Sequence, residues 1–198
     1  LRRQRQMCIR DRAEIPQEHK DFVEGLINKF KVPEASGPGM RTRFIRSAEI
    51  EKDQIEAVLD SKVNMFACGI GAPSDVMQAA KARNQTTLAL IGSPHHVQRS
   101  IAAGVEILVA QGYDAGAHTG PIGTYSLVPQ IVDAAGDIPV LVAGGVATGR
   151  HIAAALAMGA QGVWMGTAWL LSEEHQGHMH PVNRDKLIAA GSGDTVIT

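Results

Sequence analysis

Between Val63 and Met165 the chain repeats one pattern: a short apolar run, a stretch with helical spacing, then another apolar run. The runs are Val63–Cys68, Thr86–Ile91, Glu106–Ala110, Pro139–Ala143 and Gly162–Met165. Their starts lie about 20 residues apart, except for a wider gap around Gln111–Gly123. The runs are continuous rather than alternating, which predicts strands buried on both faces, as in a parallel sheet covered by helices. Helices are expected over Glu51–Ser61, from a cap at Ser74 to about Asn84, from the Gly92-Ser-Pro94 turn to Ala103, over Leu127–Ala135 and over Thr148–Met158. Such a repeat builds either a doubly wound sheet or a (β/α)₈ barrel. With five strands visible, a barrel of eight needs three more upstream of Ala13.

The ends read differently. Residues 1–12 carry five Arg and one Asp with no helical or strand period, and Cys8 lies among them. This segment reads as non-native, of the kind left by sequencing-adapter read-through, rather than as a basic arm or targeting peptide. Without it Lys+Arg falls from 19 to 14 and Asp+Glu from 20 to 19, leaving a net charge of −5. No basic patch for nucleic acid survives, and 4% aromatic residues leave no stacking platform for a single strand. Residues 13–46 read as a surface excursion with one amphipathic helix over 17–31, on which Phe22, Leu26, Ile27 and Phe30 recur at helical spacing. Residues 47–198 hold the βα repeat. Its apolar runs are each too short to span a bilayer. A single Cys68 in the apolar run Met65–Ile70 offers no disulfide or metal-ligand pair. With no signal peptide, a cytoplasmic enzyme is expected.

In a barrel of this class the active site is built from loops after the carboxyl ends of strands. Three such ends are unusual here. Ala143-Gly-Gly-Val-Ala-Thr-Gly149 puts two glycines at the end of a strand, just before a helix opening near Thr148. Backbone amides can there approach an anion, and the helix N-terminus favours negative charge. Trp164-Met-Gly-Thr167 offers a second such end one βα unit later. The third, Gln111–Gly123, is Gly-rich and carries Asp114 and His118; a loop histidine on a rigid scaffold can act as a general base near neutral pH. His95 and His96 read as exposed first-turn residues, and His151 as a solvent-facing helix residue. His175, His178 and His180 fit no familiar zinc spacing, so no metal is expected.

Four segments together, Gln111-Gly-Tyr-Asp-Ala-Gly-Ala-His-Thr-Gly120, Leu127-Val-Pro-Gln-Ile-Val-Asp133, Ile138-Pro-Val-Leu-Val-Ala-Gly-Gly145 and Gly162-Val-Trp-Met-Gly-Thr167, resemble the nitronate monooxygenase family. Ala89-Leu-Ile-Gly-Ser-Pro94 and Asp194-Thr-Val-Ile-Thr198 look like that family too, so the resemblance covers roughly residues 48–198. It implies a TIM (β/α)₈ barrel, truncated here to about five of eight βα units, with FMN at the carboxyl-end mouth. It further implies that Gly144, Gly145, Trp164, Met165, Gly166 and Thr167 hold the FMN phosphate through backbone amides. Gln111 and Gly116 would contact the flavin ring or ribityl side. His118 matches the family's catalytic histidine, which removes the α-proton of a nitroalkane or orients a nitronate. The implied reaction oxidises an alkyl nitronate with O₂ to a carbonyl compound and nitrite, the redox step belonging to the cofactor. Where the family has Gly-Gly-His, this chain has Gly116-Ala117-His118, placing a methyl group where backbone approaches flavin.

Two other enzymes share these features. An FMN-dependent enoyl-acyl-carrier-protein reductase using NAD(P)H also has a Gly-Gly-His loop and a similar Leu-Val-Pro-Gln-Val-Val-Asp helix. A non-redox isomerase or synthase of phosphate ligands would use the same strand-end glycines without flavin. Oligomeric state is not readable from the sequence.

Overall fold

The computed structural model describes residues 16–33, 48–69, 71–176 and 179–195. The basic segment 1–12, the Ala35–Gly39 stretch and His178 lie outside the described residues. The chain divides into two compact units, 1–61 and 62–198.

In the first unit, α1 spans Gln17–Phe30 and α2 spans Ala48–Leu59. Lys31 ends α1 in the left-handed conformation (φ 49°), and Val32 N donates to Ile27 O at 3.0 Å. The helical spacing of Phe22, Leu26, Ile27 and Phe30 is realised, yet none of α1 is buried.

The second unit holds β1 Met65–Cys68, α3 Ser74–Ala82, β2 Thr86–Ile91, a 3-10 turn Pro94–His96 leading into α4 Val97–Ala102, and β3 Ile107–Gln111. It continues with α5 Thr124–Ala135, β4 Val140–Ala143, α6 Gly149–Ala157 and β5 Gly162–Trp164. A 3-10 turn Thr167–Leu171, the short helix α7 Glu173–Gln176 and α8 Pro181–Ala189 follow. The five strands form one parallel sheet in the order β1-β2-β3-β4-β5, so every strand neighbours the next in sequence. This α/β arrangement, with α3, α4, α5 and α6 in the crossovers, is that of consecutive units of a (β/α)₈ barrel.

The two faces of the sheet are buried unequally. On one, Ala89, Ile91, Leu108, Ala110, Val140 and Val142 are all buried, with Leu108 at 0% exposure. The helix α5 lies across β3 and β4, and its Leu127, Val128 and Ile131 are buried too. Each fully buried side chain of this size contributes about 1.5–3 kcal/mol. On the other face Leu88, Val109 and Ala143 make a buried cluster, against which Leu90, Ile107 and Leu141 are only partly buried.

At the amino ends of the strands one arrangement occurs twice. Glu106, just before β3, donates its N–H to Thr87 O at 3.0 Å and accepts from Thr87 N through Oε2 at 3.0 Å. Gln161, just before β5, donates N–H to Val140 O at 2.9 Å and accepts from Val140 N through Oε1 at 2.7 Å. In each case a side chain continues the ladder by one rung beyond the backbone.

Several boundaries differ from the sequence-based expectation for physical reasons. Ser74 is the first helical residue and not the cap, since Pro73 holds that position. The third strand begins at Ile107 because Glu106 spends both backbone and side chain on Thr87. The fifth helix begins at Thr124, three residues before the apolar periodicity.

Candidate active site at the carboxyl ends of β3, β4 and β5

Gln111, Ala143 and Trp164 lie side by side across the sheet as the last residues of β3, β4 and β5. Gln111 shares a face with Val109, two residues earlier, and is half-buried. After Ala143 the chain enters the left-handed region at Gly144 (φ 103°) and Gly145 (φ 71°), which residues with a side chain rarely occupy. A Cβ at Gly144 would also sit 2.7 Å from Thr124 Oγ1 and 3.1 Å from Ala115 N.

Two kinds of amide result. The N–H groups of Gly144, Gly145 and Gly166 donate to no other described residue. Those of Ala147 and Thr148, at the start of α6, both donate to His151 Nδ1, at 3.0 and 3.2 Å. His151 is therefore exposed, as expected, but it also caps the helix, and its Nδ1 carries the lone pair.

The loop after β3 is held at several points. Gly112 N donates to Ala143 O at 3.0 Å, tying its start to β4. Tyr113 N donates to Ile122 O at 3.0 Å, closing it across its base. Asp114 Oδ2 accepts from Thr124 N at 2.8 Å, so a carboxylate sits at the N-terminus of α5, where the helix dipole favours it. That amide holds the Asp114 carboxyl below its ordinary range, against partial burial, which works the other way. Thr124 Oγ1 reaches Gly144 O at 3.1 Å. Farther along, Gly120 meets the loop after β2: a Cβ at Gly92 would lie 2.7 Å from Gly120 N, and one at Gly120 would run into Gly92 O.

The tip between these ties carries Gly116, Ala117 and His118, all exposed. Gly116 reaches past β4 to the end of β5, where a Cβ on it would be 3.1 Å from Thr167 Oγ1. Ala117 is not among the described residues at positive φ, and its methyl group is exposed, so the departure from Gly-Gly-His imposes no backbone strain. His118 makes no hydrogen bond with another described residue, and neither does the Thr167 hydroxyl.

Of the residues singled out by sequence, Gln111, Gly116, Gly144, Gly145, Trp164 and Thr167 come together at one end of the sheet. Met165 and Gly166 lie between Trp164 and Thr167, and a Cβ at Gly166 would meet only open space. His95 and His96 are exposed on the 3-10 turn after β2. His180 caps α8, its Nδ1 accepting from Val182 N at 3.3 Å. Among the described residues no group of His, Cys, Asp or Glu could hold a metal, and no helix is long and apolar enough to cross a membrane. Sequence reasoning missed Thr124 and the capping role of His151, and gave Asp114 no partner. The spacing Thr148-x-x-His151 at a helix start was the one local signal available.

Donors left open on a glycine turn and a loop carrying a histidine thus stand together at the carboxyl end of a parallel sheet, the end at which barrels of the (β/α)₈ class build their active sites. The family model for nitronate monooxygenase matches residues 13–198, and the chain belongs to that family. It is 41% identical over 187 residues to "Putative monooxygenase Rv1533" of Mycobacterium tuberculosis, covering 92% of this chain and 49% of that protein. It is 38% identical over 161 residues to "Probable nitronate monooxygenase" of Staphylococcus aureus, covering 74% and 44%. The chain thus spans about half the length of the curated relatives it matches. Among solved structures, FabK from Thermotoga maritima aligns with a TM-score of 0.69 at 33% identity, over 74% of this chain and 46% of that one. A nitroalkane oxidase from Streptomyces ansochromogenes aligns at 0.59 and 30%, over 67% and 43%.

Proposed function

We propose that this chain forms one wall of an FMN site in an oxidoreductase that oxidises alkyl nitronates with O₂ to a carbonyl compound and nitrite. One observation carries the reading: the open amides of Gly144, Gly145 and Gly166 and the His118 loop stand on adjacent strand ends, joined by the Gly112–Ala143 hydrogen bond. The residues present fit the phosphate of FMN, since the glycine turn leaves no room for side chains on the Thr124 side and presents free donors. When bound, the flavin would supply the redox chemistry between the nitronate and O₂.

The chain's own groups do the rest. Gly144 and Gly145, with Gly166 and the Thr167 hydroxyl, hold the phosphate, and the N-terminus of α6 adds its dipole. Gln111 and Gly116 line the flavin's ring or ribityl side, while the backbone of Trp164, at the end of β5, and of Met165 after it completes the phosphate cradle. An imidazole nitrogen of His118 takes the α-proton of a neutral nitroalkane, or orients a nitronate already formed. The exposed tip leaves His118 open to substrate, and the ties at Asp114 and Gly120 fix where it stands.

In the full-length protein, His118→Ala is expected to retain flavin and lose about 10²–10⁴-fold in turnover of neutral nitroalkanes, with a smaller loss on preformed nitronates. Equal losses on both substrates would refute the base role. The likeness to FabK favours a second reading, an FMN-dependent enoyl-acyl-carrier-protein reductase. Oxygen uptake with propionate 3-nitronate supports the monooxygenase, whereas NADH oxidation with a crotonyl thioester supports the reductase. A colourless full-length protein would sink both.

A further inference from the structure

We infer that Thr124 is a positioning residue: its hydroxyl, bonded to Gly144 O, aims the Gly145 N–H at the phosphate of the bound flavin. The inference rests on the flavin reading above and adds a residue to it.

Three observations carry it. Thr124 Oγ1 is 3.1 Å from Gly144 O and 3.5 Å from Ala143 O, and a hydroxyl has one hydrogen to give, so Gly144 O is its partner. The Gly144–Gly145 peptide is trans, as are all described peptide bonds. In a trans peptide the C=O and the following N–H lie in one plane and point in opposite directions. Pinning Gly144 O toward Thr124 therefore turns the Gly145 N–H away from α5, and that N–H donates to no described residue.

The pin is needed because of where it acts. Two successive glycines at positive φ form the least restricted stretch of backbone on this end of the sheet, and each can leave that region without steric cost. Nothing within Gly144–Gly145 fixes the peptide plane. Thr124 can fix it because it is itself held. Its N–H is bonded to Asp114 Oδ2 at 2.8 Å, and it begins a helix anchored by buried Leu127, Val128 and Ile131. A Cβ at Gly144 or Gly112 would strike Thr124, so both glycines are shaped around this side chain.

The test compares two flavins in the full-length protein, FMN and riboflavin, which lacks the phosphate. Dissociation constants are read by flavin fluorescence for the wild type, Thr124→Val and Thr124→Ser, alongside thermal unfolding. Thr124→Val keeps the shape and loses the hydroxyl; it is expected to weaken FMN about tenfold and leave riboflavin within about twofold. Thr124→Ser, which keeps the hydroxyl, is expected to restore FMN binding. A Thr124→Val protein that weakens both flavins equally, or neither, would overturn the inference while leaving the flavin site standing. Should Thr124→Val not fold, Thr124→Ala gives the same comparison. A wild type that binds neither flavin would overturn the flavin reading and this inference with it.

Discussion

The two ends of the sheet use their polar groups in opposite ways. At the amino ends Thr87 is fully buried; its N–H and carbonyl are paired with Glu106, and its hydroxyl donates to Gly104 O at 2.8 Å. Glu106 in turn lies 3.9 Å from Lys81 Nζ, and Gln161 closes the same kind of rung on Val140. Those groups are spent on one another. At the carboxyl ends the amides of Gly144, Gly145 and Gly166, the Thr167 hydroxyl and the His118 ring have no partner among the described residues. Side chains there that are bonded, Asp114, Thr124 and His151, hold backbone in place. One end is closed to ligands and stabilises the fold. The other leaves its donors open at the surface, at the end of the sheet where barrels of this class build their sites.

That contrast predicts which variants should change ligand binding and which should change stability. The largest effect is expected for Gly144→Ala. The added methyl group meets Thr124 Oγ1 at 2.7 Å and forces a side chain into φ 103°. FMN binding should fall by more than about thirtyfold, with a loss of about 1–3 kcal/mol in urea unfolding. Unchanged flavin affinity would remove the glycine turn from the site.

Next comes Thr87→Val at the opposite end. It deletes a buried hydroxyl and leaves Gly104 O short of a donor, so a loss of about 1–3 kcal/mol is expected by the same unfolding measurement. Flavin affinity should stay within about twofold of the wild type. A larger change in affinity would show that the two ends are coupled and break the comparison.

The smallest effect is expected for Glu106→Gln. The Thr87 amide, helped by Lys81, holds the Glu106 carboxyl below its ordinary range, with partial desolvation opposing. A lowered value in the folded chain means a contribution complete above the unfolded carboxyl's value of about 4.3 and lost as pH falls through the folded one. Glutamine keeps the acceptor and has no charge to lose. Melting temperatures of the two proteins should therefore be close at neutral pH, with the wild type falling faster only below about pH 4.3. Parallel curves down to acid would mean that the carboxylate is not what Thr87 requires.

The sheet was largely legible in the sequence because its cause is local. Continuous apolar runs at a βα spacing locate the strands, and Thr86–Ile91 falls on the same residues in both readings. The Gly144-Gly145 turn was legible for a similar reason, since adjacent glycines at the end of such a run have few other uses. What was not legible depends on residues distant along the chain. Thr124 gains its importance from Asp114, ten residues before it, and from Gly144, twenty after it. The helix start followed suit: periodicity points to Leu127, but the amide at Thr124 is satisfied by a carboxylate no helical pattern includes. His151 read as solvent-facing because exposure and capping are compatible, and a pattern of polarity sees only the first.

The meeting of Gly92 with Gly120 limits how such a chain can drift. Surface connections ordinarily tolerate added or lost residues. The connection between β3 and α5, the longest between strand and helix in the repeat, lacks that freedom. Its base is closed by Tyr113 and Ile122, its ends are tied at Gly112 and Thr124, and its far side presses on a neighbouring loop through bare backbone. An insertion within it would move His118 against every one of these ties at once. A methyl group gained at Gly92 would have to be met by a shift of the Gly120 backbone, because no substitution at Gly120, already the smallest residue, could make that room.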